Sequence, residues 1–442
     1  MTDVMEKEDI YRAAFRERES RLARKEPDWL VETRQQAMEA FDNLGFPQPH
    51  DEDWRFTNVA PITSIPFQTA RRDSIHCAEE LLQTVFLPES LAARLVFING
   101  HFSPQFSKLS ELPAGVQVGS LSDALAKPDG WLRPYLARSA DYRRHAFTAL
   151  NTALWEDGAY VHLPKGTRIS RPIHLVFVCA AKAEPLVCYP RTLVVAEQET
   201  EATLVESYVG LDGGVCFSNA VTEVMAGENA VLDHYRLQRE NARSSHVGTL
   251  QVYQGRSAQF SSCSVSLGGA LVRNEVNAVL DAPGAGCTLN GLFVGLGHEH
   301  VDNHTSIDHA KPHGSSRQLY NGILGDESAA VFHGGILVRP DAQKTDAIQR
   351  NRNLLLSPDA TIDTKPQLEI FANDVRCTHG ATVGQMDPEA LFYLCSRGVG
   401  REQARELLIY AFAAEILERI RPDGVRAWVT EALRRRLTKS RA

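Results

Sequence analysis

Gly227-Glu228-Asn229-Ala230-Val231-Leu232 is the stretch that decides the fold, because related stretches recur further along the chain. The next two, Gly255-Arg256-Ser257-Ala258-Gln259-Phe260 and Gly284-Ala285-Gly286-Cys287-Thr288-Leu289, follow at intervals just under thirty residues, and Gly325-Asp326-Glu327-Ser328-Ala329-Ala330-Val331 comes later. Each stretch places a turn before a small residue and a β-forming residue. A weak repeat with uneven spacing is typical of a solenoid, in which each coil covers the apolar edges of its neighbours.

The β-rich body around these repeats runs from about Ala159 to Ile370. Short runs of Val, Ile, Leu, Thr, Phe and Tyr alternate there with Gly, Asn, Asp and Pro turns, and Pro340-Asp341-Ala342 and Pro358-Asp359-Ala360 continue the rhythm. We predict a parallel β-helix. A β-sandwich is the alternative, although roughly 210 residues of strand would make it unusually large. A repeat fold also explains how 442 residues avoid the two or three domains that the length alone suggests.

Helical segments flank the β-rich body on both sides. Four regions are predicted: an N-terminal helical region at 1–95, a mixed lead-in at 96–158, a β-helix core at 159–375 and a C-terminal helical domain at 376–442. The elements predicted before the core are helices over 6–24, 28–44, 77–86, 120–126 and 146–154 and a strand over 95–98.

Three helices are predicted after the core. Asp387-Pro388-Glu389 supplies an N-cap acid and a proline at the first helical position of a helix over 388–397. The helix over 401–420 has a wider apolar surface than one core contact requires, which indicates that another chain packs against it, and an intramolecular bundle is the alternative. The third helix, over 425–437, carries Trp428 on an apolar face.

The composition argues against several classes of partner and location. A net charge of -8 gives no reason to expect a nucleic acid or an anionic membrane as partner. The N-terminal residues 1–9 are polar and acidic, and nowhere do eighteen apolar residues run together, so we expect a cytoplasmic protein. The eight cysteines are scattered without a C-x-x-C pair, which predicts reduced thiols and no closed structural zinc site.

Common catalytic motifs are absent from the sequence. There is no G-x-S-x-G elbow, no H-E-x-x-H and no G-x-x-x-x-G-K-[ST] phosphate loop. Gly295-Leu296-Gly297 is followed by His-Glu-His and not by a helix, so a dinucleotide site is not indicated. Any nucleotide chemistry must therefore come from a partner.

Two further segments are candidates for structural roles. Five histidines fall within sixteen residues, namely His298, His300, His304, His309 and His313. We interpret these imidazoles as lining a strand ladder or an interface, with a metal site that uses His298 and His300 as the alternative. The acidic and aromatic stretch Asp51-Glu52-Asp53-Trp54-Arg55-Phe56-Thr57 predicts a structural corner that Trp54 and Phe56 anchor.

The best functional candidate is Cys377-Thr378-His379-Gly380-Ala381-Thr382-Val383-Gly384. In an extended segment residues i and i+2 point to the same face, so Cys377 and His379 could bind one soft metal or sulfur species together. The alternative is a buried thiol beside a structural histidine.

These phrases together resemble the SufB/SufD family of scaffold subunits in the SUF iron-sulfur cluster assembly system. The resemblance spans nearly the whole chain and rests on 51–57, on Asn303-His304-Thr305 with Ile307-Asp308-His309, on Lys365-Pro366-Gln367-Leu368-Glu369-Ile370, on 375–384 and on Leu391-Phe392-Tyr393-Leu394-Cys395-Ser396-Arg397-Gly398. Thr378-His379-Gly380-Ala381-Thr382 places the chain with SufD, because SufB is similar in fold but carries Glu-His-Glu-Ala-Thr there.

The resemblance implies a mainly β protein with a right-handed parallel β-helix that pairs with SufB, and C-terminal helices that bind the ATPase SufC. It implies a non-enzymatic scaffold with no tightly bound cofactor, on which iron or a nascent iron-sulfur cluster is held transiently near the SufB interface. By the same resemblance His379 is the expected ligand and Cys377 the weaker one. The expected SufC-docking residues are Leu391, Phe392, Tyr393, Leu394, Arg397, Gly398, Leu408 and Phe412.

Three alternatives stay open at this point. The chain could be a purely structural partner of SufB that supplies no cluster ligand, or a metalloprotein that uses the histidine cluster. A homodimer of the isolated chain is the alternative to pairing with SufB. The sequence also leaves open the iron donor, the cluster type and any role for a flavin.

Overall fold

The computed structural model describes residues 2–70, 85–88, 90–110, 112–127, 130–181, 184–211 and 213–439. The helix predicted over 77–86 falls almost entirely outside these residues. The other predicted helices are present: the helix over 28–44 spans Asp28–Leu44 and the helix over 146–154 spans Ala146–Leu154, while the first helix begins earlier, at Thr2, and ends at Leu22.

The N-terminal region contains five helices and six strands among the described residues. The helices are α1 (Thr2–Leu22), α2 (Asp28–Leu44), α3 (Ala60–Thr63), α4 (Leu121–Leu125) and α5 (Ala146–Leu154). The strands are β1 (Gln68–Thr69), β2 (Ala93–Ile98), β3 (His101–Phe102), β4 (Lys108–Leu109), β5 (Gln117–Ser120) and β6 (Gly158–Leu163). Helix α2 packs on α5, which is buried along its whole length and covers one face of the β-helix.

The β-helix is a two-sheet solenoid of parallel strands. One sheet runs β21-β19-β17-β15-β13-β11-β9-β6 and the other runs β22-β20-β18-β16-β14-β12-β10-β7, so the chain alternates between the sheets coil after coil. The strands are β7 (Ile173–Cys179), β8 (Leu186–Cys188), β9 (Arg191–Ala196), β10 (Glu201–Gly210), β11 (Cys216–Ala226), β12 (Val231–Arg239), β13 (Ser245–Gln254), β14 (Gln259–Ser266), β15 (Leu271–Leu280), β16 (Gly286–Gly295), β17 (His300–His309), β18 (Ser315–Leu324), β19 (Ala329–Val338), β20 (Asp346–Leu355), β21 (Thr361–Ile370) and β22 (Arg376–Gln385).

The corner between the two sheets explains the repeated sequence stretches. Asn229 and Ser257 occupy the same corner in successive coils, with φ of 55° and 54°, and Gly284 follows with φ of 76°. A left-handed residue turns the chain between sheets, and Gly and Asn tolerate this conformation best. The alanine after each corner residue is fully buried, as Ala230 and Ala258 show. The predicted parallel β-helix with helical flanks is therefore confirmed.

Three helices follow the solenoid, namely α6 (Pro388–Ser396), α7 (Arg401–Leu417) and α8 (Asp423–Lys439). The N-cap prediction for α6 is confirmed, because the Asp387 carboxylate accepts a hydrogen bond from the Glu389 N–H at 2.9 Å. The buried residues of α8 include Val425, Val429 and Leu433, as the sequence predicted. Among the helices of the described residues, none combines the length and the apolarity needed to cross a bilayer.

The sequence pattern predicts an apolar stripe on the helix over 401–420, made of Ala404, Leu407, Leu408, Ala411, Ile416 and Ile420. The packing face matches it in part, since Ala404, Ile416 and Ile420 are buried. Ile409 and Ala413, which the sequence placed beside the stripe, are buried against the β-helix, whereas the stripe residue Leu407 is exposed. Intramolecular packing therefore accounts for one side of the wide apolar surface. Leu407 and Tyr410 remain exposed on another side.

The prediction that all cysteines are reduced thiols is wrong for two of them. Cys179 and Cys216 form a disulfide in the structure, and the Cys188 sulfur lies 3.7 Å from the Cys179 sulfur. The sequence separation of 37 between the two bonded cysteines gave no spacing signal, because the end of β7 meets the start of β11 only through the coiling of the chain.

Buried His174 makes the stability of the solenoid sensitive to pH. Burial, with a further contribution from the Arg94 charge, lowers the pKa of His174 to about 3, so the folded protein keeps this imidazole neutral while the unfolded chain takes up a proton. A depressed folded-state pKa gives stability that is lost as pH falls through the unfolded value of about 6.5.

We therefore expect the free energy of unfolding to fall by about 2 kcal/mol when the pH is lowered from 7 to about 5, because the unfolded chain protonates His174. Urea unfolding at a series of pH values would measure this slope. His174→Gln, which removes the titrating group, should flatten the slope by about 1.4 kcal/mol per pH unit near pH 5. An unchanged slope would contradict the assignment.

Candidate functional site

The last coil of the solenoid is its open end. Strand β21 pairs only with β19 and strand β22 pairs only with β20 among the described residues, so each of the two long sheets ends in an edge with free main-chain groups. Free edges are templates for pairing with another chain. Both strands are largely exposed, in contrast to the buried strands one coil earlier.

Cys377 and His379 lie on the inward-facing side of β22, next to this open end. The register places them opposite Ala347 and Gln349, two fully buried residues of β20. The predicted common face of the two side chains is therefore present. Because no further coil of this chain covers β22, His379 is exposed and Cys377 is half-buried.

The local environment disfavours the thiolate form of Cys377. Partial burial raises the pKa of the Cys377 thiol, the nearby Asp346 charge adds to the rise, and a hydrogen bond from the Ala347 backbone opposes it. The thiolate is the form that binds metal. In the isolated chain Cys377 is thus a weaker donor than an unperturbed cysteine.

The donor atoms at the open end are too few for a complete site in this chain. In the described part of the chain, donor atoms of three His, Cys, Asp or Glu residues converge within 4.8 Å at one place, and that place does not include Cys377 or His379. Two side chains leave a four-coordinate ion without half of its ligands. Further ligands would have to come from another molecule.

An exposed apolar surface accompanies the open end. Val383 on β22 and Ile370 at the end of β21 are exposed, and the next residue, Phe371, is 61% exposed. Helix α6 adds Phe392, which is 74% exposed, and Tyr393. Large exposed apolar side chains that cluster in this way mark interaction surfaces.

The predicted docking residues divide into two groups. Phe392, Tyr393, Arg397 and Gly398 are exposed, and Leu391, Leu394, Leu408 and Phe412 are half-buried. A shallow groove is formed by α6 and the α7 residue Leu408. Phe412 already has partners within the chain, because it packs against the solenoid below α7 and its carbonyl accepts a hydrogen bond from Asn321.

The corner at 51–57 packs on the outer face of the β21-containing sheet. Trp54 packs on Phe147 with ring centroids 5.2 Å apart, and the Arg273 guanidinium lies 3.8 Å above the indole. Trp54 therefore anchors the corner as predicted. The same prediction is wrong for Phe56, which is 46% exposed and has the Arg55 guanidinium 5.5 Å from its ring centroid.

The five clustered histidines have separate surroundings. The strand-ladder interpretation holds for His300, His304 and His309, which all lie in β17. His298 precedes the strand, with a side chain that is 82% exposed, and lies near Glu327. His313 has φ of 61° and occupies a corner position. His300 instead contacts the Thr57 hydroxyl at 3.0 Å, so the predicted pairing of His298 with His300 in a metal site is not supported by their environments.

One cluster that does bring donors together was not predicted from the sequence. Donor atoms of Asp53, His304 and His333 lie within 4.8 Å of one another, on the wall of a cleft of about 360 Å³. His304 and His333 are direct neighbours in the β17–β19 register. Their spacing of one coil was a usable signal, whereas nothing in the sequence connected them to Asp53.

Buried Asp302 organises the floor of this cleft. Its carboxylate accepts hydrogen bonds from the Thr57 hydroxyl at 2.5 Å and from Arg273 at 2.6 Å, and lies 3.1 Å from His304 Nε2. Burial alone would raise the pKa of Asp302, but the charges of Arg273 and His304 outweigh it and hold the pKa well below its usual range.

Comparison with known proteins identifies the family of the chain. The family model described as "SUF system FeS cluster assembly, SufBD core domain" matches residues 177–412, and "SufBD protein N-terminal region" matches residues 5–175. An iron-sulfur cluster assembly SufBD family protein of Synechocystis sp. is 37% identical over 88% of this chain and 87% of its own length.

Two further relatives carry the names of the two branches. The iron-sulfur cluster assembly protein SufD of Escherichia coli is 32% identical over 91% of this chain and 92% of its own length. The iron-sulfur cluster assembly protein SufB of Bacillus subtilis is 25% identical over 88% of this chain and 85% of its own length. With both family models matched and a SufD similar over nearly its whole length, the chain belongs to the SufBD family of SUF-system iron-sulfur cluster assembly proteins, with SufD-like sequence.

Proposed function

We propose that this chain is the SufD-type scaffold subunit of a complex with SufB and the ATPase SufC, and that it helps to build a nascent iron-sulfur cluster at its interface with SufB. The scaffold acts without catalysis of its own, since ATP hydrolysis is assigned to SufC. Iron and the cluster are cargo, with no cofactor tightly bound to the chain. We place the complex in the cytoplasm.

The open end of the solenoid is the observation that carries this proposal. A free strand edge, an exposed apolar side chain and two side chains with potential donor atoms, Cys377 and His379, all lie on β22. A partner that adds a strand to this edge would bury the apolar side chains and add its own ligands to those of β22. SufB, whose Bacillus subtilis member is similar to this chain over most of its length, would offer a matching solenoid.

Within this composite site we assign the ligand role to His379. Its side chain is exposed on the face that the partner would cover, and neutral imidazole is a suitable donor for iron. We assign Cys377 as the weaker ligand, because its raised pKa disfavours the thiolate that would bind the metal. A bound iron ion would favour that deprotonation.

The C-terminal helices are the proposed docking element for SufC. The exposed side chains Phe392 and Tyr393, with Leu408 beside them, form a groove at the junction of α6 and α7. Aromatic side chains of this kind are typical anchors of protein interfaces. Leu407 and Tyr410 extend the same apolar surface along α7.

A purely structural partner of SufB is the second candidate function. The raised pKa of Cys377 favours it, because a protonated thiol is no ligand. In that case the open end would only hold SufB in place. Replacement of both Cys377 and His379 would then leave the cluster yield intact.

His379→Ala is the experiment that separates the two candidates. We expect the variant to assemble with SufB and SufC, because the side chain is exposed, and to reduce the yield of reconstituted cluster by about 10-fold or more, as loss of a metal-site residue typically does. Co-purification of the three subunits followed by anaerobic reconstitution and visible absorption would measure both properties.

His298→Ala is the matched control, since it removes an equally exposed imidazole from a different coil. Its cluster yield should equal that of the unmodified complex. Normal reconstitution by His379→Ala would reject His379 as a ligand. A failure of His379→Ala to bind SufB would show that the residue serves the interface instead.

A further inference from the structure

We propose that Asp53, His304 and His333 form a second metal site, which binds one divalent transition-metal ion, iron(II) or zinc(II), on the outer face of the solenoid. The site belongs to this chain alone and does not depend on pairing with SufB. It lies on the β17–β19 sheet, whereas Cys377 and His379 lie on β22 of the other sheet.

The solenoid itself sets the two imidazoles side by side. His304 of β17 and His333 of β19 are register partners, and their ring centroids are 4.8 Å apart. This distance matches the spacing of neighbouring strands in a sheet. The same rung continues to Glu275 on β15 and Lys365 on β21, so the imidazole pair has an acidic and a basic neighbour.

The corner at 51–57 brings the carboxylate of Asp53 to this pair. Trp54 lies under the Arg273 guanidinium, and Arg273 Nη1 donates a hydrogen bond to the Asp53 carbonyl at 2.7 Å. These two contacts fix the backbone on both sides of the Asp53 side chain. The carboxylate itself is exposed and free to rotate toward a metal.

Hydrogen bonding leaves His304 in a form that can bind metal. Arg273 Nη1 has two protons, and its contacts with the Asp302 carboxylate and the Asp53 carbonyl use both. A third contact joins Arg273 Nη1 to His304 Nε2 at 3.2 Å, and it is the longest of the three. In the tautomer that donates from Nε2 to Asp302 Oδ1, 3.1 Å away, the lone pair is on Nδ1 and can bind a metal.

His333 has a similar arrangement, with a hydrogen bond to the Gln367 side chain that occupies one ring nitrogen and leaves the other. A histidine whose second nitrogen is held by a carboxylate or an amide is the usual arrangement at metal sites, because the bond fixes the ring and its tautomer. Both imidazoles of the cluster meet this requirement before any ion is bound.

The charge around the cleft favours a cation. Four carboxylates and two cationic side chains line it, namely Glu52, Asp53, Asp302 and Asp363 against Arg55 and Lys365. Lys365 is already paired with Glu52 at 2.7 Å. The charge of Arg273 is balanced by Asp302 and Glu275. A divalent ion therefore enters a region with excess negative charge.

The donor set selects the class of metal. Two imidazoles and one carboxylate are the ligands of non-haem iron(II) centres and of open zinc sites. In a tetrahedral site, donors lie about 3.3 Å apart for metal–ligand bonds of about 2.0–2.1 Å. The three donors lie within 4.8 Å of one another, so small rotations of the Asp53 side chain and of the imidazoles would bring them to that spacing.

The test measures metal binding in the full chain after replacement of Cys377 by serine and of His379 by asparagine, so that the other donor pair is removed. Metal-depleted protein is titrated with cobalt(II) as a visible probe, and with zinc(II) and anaerobic iron(II) by equilibrium dialysis. We expect one ion per chain. Asp53→Asn and His333→Asn should each weaken binding by about 10-fold or more.

His298→Asn is the control, because it removes an exposed histidine outside the cluster, and it should leave binding unchanged. Asp53→Asn changes an exposed side chain and should leave thermal unfolding of the metal-free protein unchanged, so its loss of binding reports the site. Absence of bound ion in the starting protein, or equal binding by the Asp53 and His333 variants, would overturn the proposal.

Discussion

Glu223→Ala is expected to destabilise the protein by about 3–5 kcal/mol, the usual result of breaking a buried ion pair by removing one partner. Glu223 and Arg191 are both fully buried, and their charged groups are 2.5 Å apart. Without the carboxylate, the guanidinium would be left in the interior with no compensating charge. Urea unfolding monitored by circular dichroism would measure the loss.

The same carboxylate also fixes the N-terminal region on the solenoid. Its oxygens accept hydrogen bonds from four consecutive backbone N–H groups at distances of 2.9–3.1 Å, those of Ala137, Arg138, Ser139 and Ala140. Burial would raise the pKa of Glu223, but the Arg191 charge and these hydrogen bonds outweigh it and lower the pKa. Glu223 therefore stays ionised in the folded protein.

Two control variants separate charge from packing. Glu223→Gln keeps the shape and one carbonyl acceptor, and should recover part of the loss. The double variant Glu223→Ala/Arg191→Met removes both charges and should be more stable than Glu223→Ala alone, because the uncompensated charge is gone. If the double variant were the less stable of the two, packing and not the ion pair would be the source of the effect.

The solenoid was predictable because its signal is local and repeated. Val231 pairs with Gln259, and Gln259 pairs with Gly286, so the strands that follow the quoted stretches are register partners. Each coil repeats one corner conformation, and the corner selects Gly, Asn or Ser before a small residue. A sequence pattern that follows backbone geometry so directly can be interpreted without knowledge of distant contacts.

The Asp53–His304–His333 cluster was not predictable for the opposite reason. His304 and His333 are one coil apart, and Asp53 comes from the other end of the chain. Only the packing of Trp54 against Arg273 brings the acid to the imidazoles. From the sequence, 51–57 and the histidines are therefore separate features, and the metal site considered as an alternative used His298 and His300, which lie close together in sequence.

Helix α7 shows a limit of periodicity. Its apolar residues cover more than one face, so the pattern alone could not select the side that packs on the solenoid. In the structure Ile409 and Ala413 are on the packed side, because that side of the helix contacts β16 and β18. The other side of the helix, with Leu407 and Tyr410, stays exposed. This exposed apolar side is consistent with the predicted contact with another chain.

Ala381→Pro/Val383→Lys is expected to weaken the proposed complex with SufB by about 100-fold, which corresponds to about 2.7 kcal/mol. The Arg376 N–H donates to Thr345 ahead of β20, and successive N–H groups of a strand point to opposite sides. The N–H groups of Ala381 and Val383 therefore point to the free edge. Proline removes the first of these donors, at about 1 kcal/mol for a lost hydrogen bond.

Lysine at position 383 accounts for the rest of the effect. Val383 is exposed in the isolated chain, and its burial by a partner would contribute about 1.5 kcal/mol or more that a charged side chain forfeits. Lysines on an edge strand also oppose pairing with another sheet. Neither change touches the bonds between β22 and β20, so the solenoid should stay folded.

Strand β21 already has a proline, Pro366, at its free edge. Its Thr361 and Phe371 N–H groups donate toward β19, so even-numbered positions face its free edge, and Pro366 occupies one of them. Proline within a sheet is confined to such edges. Main-chain pairing with a partner is thus already restricted on β21, which makes β22 the edge whose disruption should have the larger effect.

Binding of SufB measured by titration calorimetry, with Thr382→Lys as the control, tests this assignment. Thr382 lies between the two altered residues, but its N–H faces β20 and its side chain is on the other side of the strand, so the same charge should weaken binding much less. If the isolated chain forms a homodimer through this edge, light scattering should show the double variant as a monomer. Undiminished SufB binding by the double variant would move the interface away from β22, and with it the composite site at Cys377 and His379.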